Sequence, residues 1–156
     1  MDGSRIPNPG PRGFTLLELL IVISIIAILA AAIIPNFVGF DTEARVAATQ
    51  TNLNTLRTRV TLFRAKESRY PETLEELTAK NYDDMGVQRP YLEEMPAELI
   101  SSKAGNSTVE NKTSSDGLTG DGGWTYLKDR AKVVVDITEP LSSRWGAYEG
   151  KKPSDW

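Results

Sequence analysis

The sequence predicts an α+β protein. One long N-terminal α-helix, about residues 14–66, is followed by a small antiparallel β-sheet packed on the helix's C-terminal half. Three patterns predict this fold. A run that is apolar on every face opens the helix, an amphipathic stretch with apolar residues every three to four positions continues it, and two short strand-like runs between residues 124 and 137 form a hairpin.

The apolar run extends from Phe14 to Ile34, which is 21 residues, and Glu18 is its only charge. As a helix it would be about 30 Å long, the thickness of one hydrocarbon core. Two arginines and one aspartate precede it. The positive-inside rule therefore predicts that the leader stays in the cytoplasm and that the residues beyond Pro35 lie outside.

Three other interpretations explain this run less well. A secretory signal peptide cleaved near Ala30-Ala31-Ala32 would be shorter and would not carry Glu18 in its apolar core. A plain signal anchor on an unrelated periplasmic protein gives no reason for Glu18. A core helix of a soluble protein would not be apolar on every face over this length.

Glu18 needs a partner, because a carboxylate inside a membrane-length segment costs about 2.5–3.5 kcal/mol on insertion scales. Cleavage after Gly13 would create an α-amino group on Phe14, four residues before Glu18. A neighbouring copy of the chain could then neutralise Glu18 with its own N-terminus.

The segment from residue 12 to residue 35 resembles the class III leader and N-terminal helix of the type IV pilin and type II secretion pseudopilin superfamily, beginning with Arg12-Gly13-Phe14-Thr15-Leu16-Leu17-Glu18. The resemblance implies that a prepilin peptidase cuts between Gly13 and Phe14 and methylates Phe14. It also implies that Glu18 sets the register between subunits together with Phe14, and that the protein is a pilin-like ladle.

On this basis the chain has four parts. Residues 1–13 are a cleaved leader, residues 14–35 form a transmembrane and filament-core helix, residues 36–66 continue it as an amphipathic helix, and residues 67–156 form the periplasmic or extracellular head.

Pro35 and Gly39 mark an expected kink, because proline lacks a backbone donor and glycine adds backbone freedom. A merely bent helix explains the same residues. The helix then resumes through about Lys66 with one apolar face, formed by Phe37, Phe40, Ala44, Ala47 or Ala48, Leu53, Leu56, Val60 and Phe63.

In the head, Tyr70-Pro71 ends the long helix, and Thr73-Leu74-Glu75-Glu76 is typical of a capping box. A short helix is expected over Leu74–Lys80, with Leu74 and Leu77 facing inward. Residues 91–96 are expected to connect it to the sheet.

Residues 101–121 are polar and predict a long exposed loop with two glycosylation sequons, which such loops also contain by chance. The hairpin, residues 124–127 and 132–137, should cover the long helix with Trp124, Tyr126, Val133 and Val135. Buried and exposed residues should alternate, which leaves Val134 less buried than Val133 and Val135. The tail, residues 141–156, is either packed on the surface or a contact for a partner.

Composition argues against other functions. There is no cysteine and no histidine, so the commonest general base and the commonest soft metal ligands are missing, and an enzyme is not expected. Removing residues 1–13 takes away a net charge of +1 and changes the formal net charge from −3 to −4, which is no signature of nucleic-acid binding.

No cofactor is expected, with calcium as the exception. The loop from Asp116 to Asp121 offers two carboxylates, backbone carbonyls and permissive glycines, which are oxygen ligands that calcium accepts. Major pseudopilins, in the resembled superfamily, bind calcium in a C-terminal loop. An ordinary exposed turn explains the same residues, because Asp and Gly dominate turns.

These patterns predict a structural subunit of a membrane-derived helical filament, most readily of a type IV pilus. A pseudopilin of a type II secretion system is the alternative, and a signal-anchored periplasmic binding protein is a third. The expected partners are further copies of the chain, the prepilin peptidase, an inner-membrane assembly platform and, before assembly, inner-membrane lipid.

Overall fold

The computed structural model describes residues 13–37, 40–101, 105–114 and 117–156, and the side chains of these residues except at positions 32–37 and 40. The chain divides into two compact units, Met1–Val38 and Gly39–Trp156. The layout is the α+β arrangement that the sequence predicted, with N-terminal helix followed by short strands.

Helix α1 of the first unit runs from Leu16 to Phe37 over 22 residues. Its backbone passes Pro35 without ending there. Gly39, the second residue of the expected kink, lies outside the described residues, so the kink stays a prediction. Counting the described residues alone, no helix is both long enough and apolar enough to cross a membrane.

Helix α2 of the second unit runs from Phe40 to Glu67, one residue beyond the predicted end. Ser68 ends it in the left-handed region, with φ 57°, and donates its N–H to the Arg64 carbonyl at 2.9 Å. Such a residue closes a helix by satisfying a last-turn carbonyl. One face is buried at three- and four-residue steps, through Val46, Thr49, Leu53, Leu56, Val60 and Phe63.

The C-terminal half of this buried face agrees with the sequence, but the alanine positions before it were largely wrong. Ala44 and Ala47 are exposed and Ala48 is half-buried, and the stripe runs through Val46 and Thr49 instead. The side chains of Phe37 and Phe40 lie outside the described residues. Alanines occur on any helix face, so their spacing carried little information. Thr49 is buried because its hydroxyl accepts the Leu99 N–H at 3.1 Å, a contact that depends on the tertiary fold.

Helix α3 is a single turn, Glu76–Ala79, and is shorter than the predicted Leu74–Lys80. Leu74 and Leu77 are buried, as predicted. The expected capping box forms differently: no side chain caps this helix, and Glu76 Oε1 instead accepts the N–H of Glu72 at 2.6 Å. The hydrogen bond from Arg69 at 2.7 Å lowers the pKa of Glu76 to about 2.

A hairpin of strands β1 (Asn81–Asp84) and β2 (Val87–Pro90) follows, which the sequence patterns did not predict. Its two-residue turn places Met85 and Gly86 at φ 55° and 87°, which is the backbone of a type I′ turn. Neither strand alternates between apolar and polar residues, so the usual signal was missing.

The main sheet has the order β3-β4-β5, formed by Val109–Lys112, Trp124–Leu127 and Lys132–Val135. Strands β4 and β5 form the predicted antiparallel hairpin, in which Trp124 pairs with Val135. Strand β3 pairs with β4 in parallel and lies inside the segment that was predicted to be loop throughout. That prediction was wrong because Val-Glu-Asn-Lys carries no strand pattern of its own.

The core lies between α2 and the inner face of this sheet. Trp124, Tyr126, Val133 and Val135 share one buried cluster with the Leu53–Phe63 face of α2, as predicted. Arg57 Nε donates to the Val133 carbonyl at 3.1 Å and fastens the helix to β5. The outer face is buried as well, since Val134 is only 3% exposed and Leu127 2%. The expected alternation of buried and exposed residues in β5 was therefore wrong.

The tail is packed on the domain, which settles one alternative that the sequence left open. Leu141 and Trp145 belong to the core cluster, and Tyr148 and Trp156 pack against it. Backbone bonds close the tail into a loop, with Leu141 N–H to Lys151 O at 2.9 Å and Gly150 N–H to Leu141 O at 2.8 Å.

Candidate functional site at the start of the first helix

The Gly13–Phe14 junction lies directly before α1 and is open. A Cβ added at Gly13 would meet no atom within 4 Å, and Phe14 is 84% exposed. Both residues precede the first helical residue, Leu16, so the peptide bond between them is not held in helical hydrogen bonding. Cleavage and methylation at this bond stay predictions, because geometry shows access and not processing.

Glu18 sits in the first turn of α1, and here the expectation of a residue without a partner in its own chain was wrong. Its Oε2 accepts two hydrogen bonds from Thr15, one from the backbone N–H and one from the hydroxyl, both at 3.0 Å. In return, the Glu18 N–H donates to Thr15 Oγ1 at 3.1 Å. This reciprocal arrangement is a capping box with Thr15 as the N-cap.

The Thr-x-x-Glu spacing of this capping box was visible in the sequence and was missed. The apolar run and the possible intersubunit pair gave a role to Glu18 and none to Thr15. The structure adds Thr15 as a residue whose only described side-chain partners are atoms of Glu18.

Large apolar side chains are exposed on every side of α1. Twelve large apolar side chains between Phe14 and Leu29 are 48–89% exposed in the isolated chain. An apolar patch of this extent is far beyond what a soluble monomer leaves uncovered and marks a surface for lipid or for other protein chains.

The described residues of the second unit form a cleft of mixed charge and hold two buried carboxylates. A cleft of about 280 Å³ is lined by Asp121, Glu139, Arg144 and Trp145 among others, and it presents charges of both signs. Two carboxylates are fully buried, at Glu98 and Asp136, and both are occupied by hydrogen bonds from neighbouring loops.

The described residues contain no preformed cluster of side-chain ligands for calcium. Within residues 13–37, 40–101, 105–114 and 117–156, no three metal-ligating side chains come together to hold an ion. Asp136 Oδ1 and Oδ2 are taken by Gly120 N–H at 3.0 Å and by the Thr119 hydroxyl at 2.7 Å. Asp116, one of the two carboxylates of the expected site, lies outside the described residues.

Comparison with known proteins agrees with this geometry. A family model described as the prokaryotic N-terminal methylation motif matches residues 9–34, and a model of type II secretion system protein G matches residues 36–101. The chain therefore carries the N-terminal methylation motif and, directly after it, a segment similar to type II secretion system protein G.

Relatives of both kinds are found. The chain is 44% identical over 70 residues to the type IV major pilin protein PilA of Myxococcus xanthus, which covers 45% of this chain and 32% of that protein. It is 35% identical over 68 residues to the type II secretion system core protein G of Dickeya chrysanthemi, covering 44% of each. Over 98 residues it is 32% identical to core protein G of Escherichia coli, covering 56% of this chain and 65% of the relative.

These alignments span less than two thirds of the length of each relative. No solved structure matches the chain.

Proposed function

We propose that this protein is a structural subunit of a membrane-derived helical filament and not an enzyme. The observation that carries the proposal is the exposed apolar helix α1, which carries one carboxylate in its first turn directly behind an open Gly13–Phe14 junction. The methylation-motif match and the similarity to a type IV pilin and to secretion protein G support it.

In this proposal the precursor is held in the inner membrane by α1, with a single pass and the second unit outside. A prepilin peptidase removes residues 1–13 and methylates Phe14. The helices then leave the bilayer through an assembly platform and pack together in the filament core. The chain has no glycine-rich phosphate-binding motif, so the energy for assembly comes from the partner proteins.

The forces that hold the filament together are judged against α1 in the bilayer, from which the subunits come. Lipid tails are as apolar as leucine, so moving α1 from the bilayer to a filament core changes its apolar exposure little. Close packing and polar pairing then decide which arrangement forms. The pair between Glu18 and a neighbour's Phe14 amine fixes register more than it adds stability, because buried ion pairs often only offset their own desolvation.

The test of maturation is the mass of the protein purified from native membranes. We expect a chain of 143 residues that starts at N-methylated Phe14. A chain that still starts at Met1 would contradict the proposal, as would one that starts at Ile33 after signal-peptide cleavage.

We propose the type IV pilus as the first candidate system, supported by the 44% identity to a major pilin, and the secretion pseudopilus as the second, supported by the protein G match over residues 36–101. A deletion strain separates them. Loss of surface fibres with normal protein secretion supports the pilus, whereas loss of secretion with surface fibres intact supports the pseudopilus.

A further inference from the structure

Two apolar side chains are exposed at the tip of the β1–β2 hairpin, residues 84–87. Met85 is 100% exposed and Val87 53%, and among the described side chains of the second unit the only other large exposed hydrophobic residue is Tyr70. Met85 also has φ 55°, at a turn position that favours Asn, Asp or Gly. Neither solubility nor the backbone explains a methionine here, and residues that break local rules are expected at functional positions.

The hairpin holds this tip in a fixed position. Asp83 Oδ1 accepts the Gly86 N–H at 3.0 Å and closes the turn from inside. At the base of the hairpin, Lys66 Nζ of α2 donates to the Asp83 carbonyl at 3.1 Å. Met85 is therefore a preorganised apolar projection, and preorganisation lowers the entropy that is lost when such a projection docks.

A cleft beside the tail, here called the Trp145 cleft, offers a place for such a side chain. It has a volume of about 280 Å³, and its apolar lining is formed by Ile100, Ile137, Leu141 and Trp145. The Arg144 guanidinium lies 5.0 Å from the centroid of the Trp145 ring, and no ion pair of Arg144 is found among the described residues. Since a thioether makes favourable contacts with aromatic rings, the cleft suits a methionine that has a carboxylate nearby.

The charges of the tip and of the cleft can pair with each other. Asp84 directly precedes the turn and would face Arg144, whereas Arg89 would face Asp121 or Glu139, the two carboxylates that line the cleft. Within one chain Asp84 and Arg89 pair at 3.0 Å, and both side chains are exposed. A surface pair of this kind contributes little stability, so exchanging its partners on docking costs little.

The tip and the cleft lie at opposite ends of α2. Lys66, in the last turn of the helix, bonds to the hairpin, whereas Arg45, near its start, lines a pocket together with Arg144 and Trp145. At 1.5 Å per residue, Arg45 and Lys66 are about 30 Å apart along the helix axis. The tip therefore cannot enter the cleft of its own chain.

Two complementary surfaces at different places on one chain define the kind of partner. Such a contact is heterologous, so each docked copy presents a free tip and a free cleft to the next copy. A heterologous contact that does not close into a ring builds an open helix. A second copy of this chain is thus the occupant that fits both the chemistry of the cleft and its position.

We propose that the β1–β2 tip docks into the Trp145 cleft of a second copy of this chain, with Met85 as the inserted side chain. This inference rests on the proposed filament function. It adds a contact between second units to the packing of α1 in the filament core.

The first test is disulfide cross-linking in the full-length chain, which contains no native cysteine. Val87→Cys leaves Met85 in place, and Ser142→Cys puts the second thiol on the exposed edge of the cleft. A disulfide requires Cα atoms about 4.4–6.8 Å apart, so this double variant cannot cross-link within one copy. In the control, Asp129→Cys replaces Ser142→Cys, because Asp129 is exposed and does not line the cleft.

We expect a ladder of dimers, trimers and longer species when cells that express Val87→Cys/Ser142→Cys are treated with a mild oxidant. Each single variant and the control double variant should give no ladder. Cross-linking that stops at the dimer would mean an isologous contact and would overturn the inference. The absence of a ladder in filaments that form normally would also overturn it, while leaving the proposed function intact.

The second test, Met85→Asn, separates docking from folding. Asparagine tolerates a positive φ better than methionine, so the urea midpoint of the full-length chain in detergent should be unchanged or higher. Filament yield per processed subunit should fall about tenfold, the scale of losing one large buried apolar side chain. Met85→Leu, the matched control, should keep most of the yield.

Two results of this second test would contradict the inference. One is a wild-type filament yield for Met85→Asn. The other is a parallel loss of urea midpoint and yield, because a purely structural role of Met85 would lower both together. If the wild-type chain itself formed no filament, the proposed function would be refuted and this inference with it.

Discussion

Replacing Glu98 by glutamine should destabilise the second unit, although the two side chains are almost the same size. The side chain is fully buried, and its carboxylate gathers three backbone donors: Oε1 accepts the N–H groups of Ile100 and Ser101, and Oε2 accepts that of Gly123 at 3.4 Å. The Gly123 bond joins the segment before β3 to the residue that directly precedes β4. Glutamine keeps one acceptor oxygen and turns the other position into a donor.

The magnitude follows from the bonds that change. Two contacts on Oε1 weaken from charged to neutral, each by about 1 kcal/mol, and the Gly123 N–H faces another donor and loses its partner, for about 1–3 kcal/mol. The lower desolvation of a neutral amide offsets part of this. We expect a net loss of about 2–4 kcal/mol, which is about 10 °C in Tm for a domain of this size.

The assay is thermal and urea unfolding of a fragment that begins at Phe40, which contains the whole core cluster. Glu94→Gln is the control, because Glu94 lies in the same connecting segment, is exposed, and loses the same charge. Its free energy of unfolding should change by less than about 0.5 kcal/mol. Equal changes for Glu98→Gln and Glu94→Gln would refute the assignment of the three donors.

Three further predictions concern the same fragment. Val134→Ala should lower the free energy of unfolding about as much as Val133→Ala, by about 1–3 kcal/mol, because both side chains are buried; a much smaller loss at Val134 would mean that the outer face of β5 is open to water. Glu76 has a pKa lowered to about 2 by its hydrogen bond from Arg69, so its contribution to stability is present above pH 4.5 and is lost as the pH falls toward 2. Glu76→Gln should therefore reduce stability at pH 7 and flatten the acid decline measured by urea titration, and an unchanged decline would contradict this. Finally, if the loop over residues 116–121 binds calcium, millimolar calcium should raise Tm relative to chelator; identical melting curves would remove the calcium prediction.

The sequence predicted those parts of the fold that are determined by a pattern of residues close together in the chain. The Leu53–Phe63 stripe repeats with the helical period, and the antiparallel pairing of β4 with β5 follows from two adjacent strand-like runs. Strand β3 could not be predicted, because Val109–Lys112 becomes a strand only when β4 lies beside it.

Close backbone approach explains why β3 can lie there. A Cβ at Gly123 would come within 2.6 Å of the Thr108 carbonyl, and one at Gly122 within 2.5 Å of the Ser101 hydroxyl. The residues beside Gly122-Gly123 in the sequence carry no sign of this close approach. The steric purpose of this pair depends on neighbours that are distant in sequence.

The processing and registration roles of the candidate site stay predictions, and the hydrogen bonding within it was not predicted. Gly13, Phe14 and Glu18 were identified from the junction and the lone charge. Thr15 was not, although a capping box is a local motif, because a charge inside an apolar run indicated a partner in another subunit and not one three residues away.

The type I′ turn between β1 and β2 provides a labelling position for following this protein in cells. Met85 is 100% exposed at the tip of that turn, and the chain contains no cysteine. A Met85→Cys variant would carry a single thiol with no native competitor, and a two-residue turn projects it away from the buried core. Among copies of this protein, a membrane-impermeant maleimide dye added to living cells would then label only those that are exposed outside, so their arrival there could be timed under the microscope.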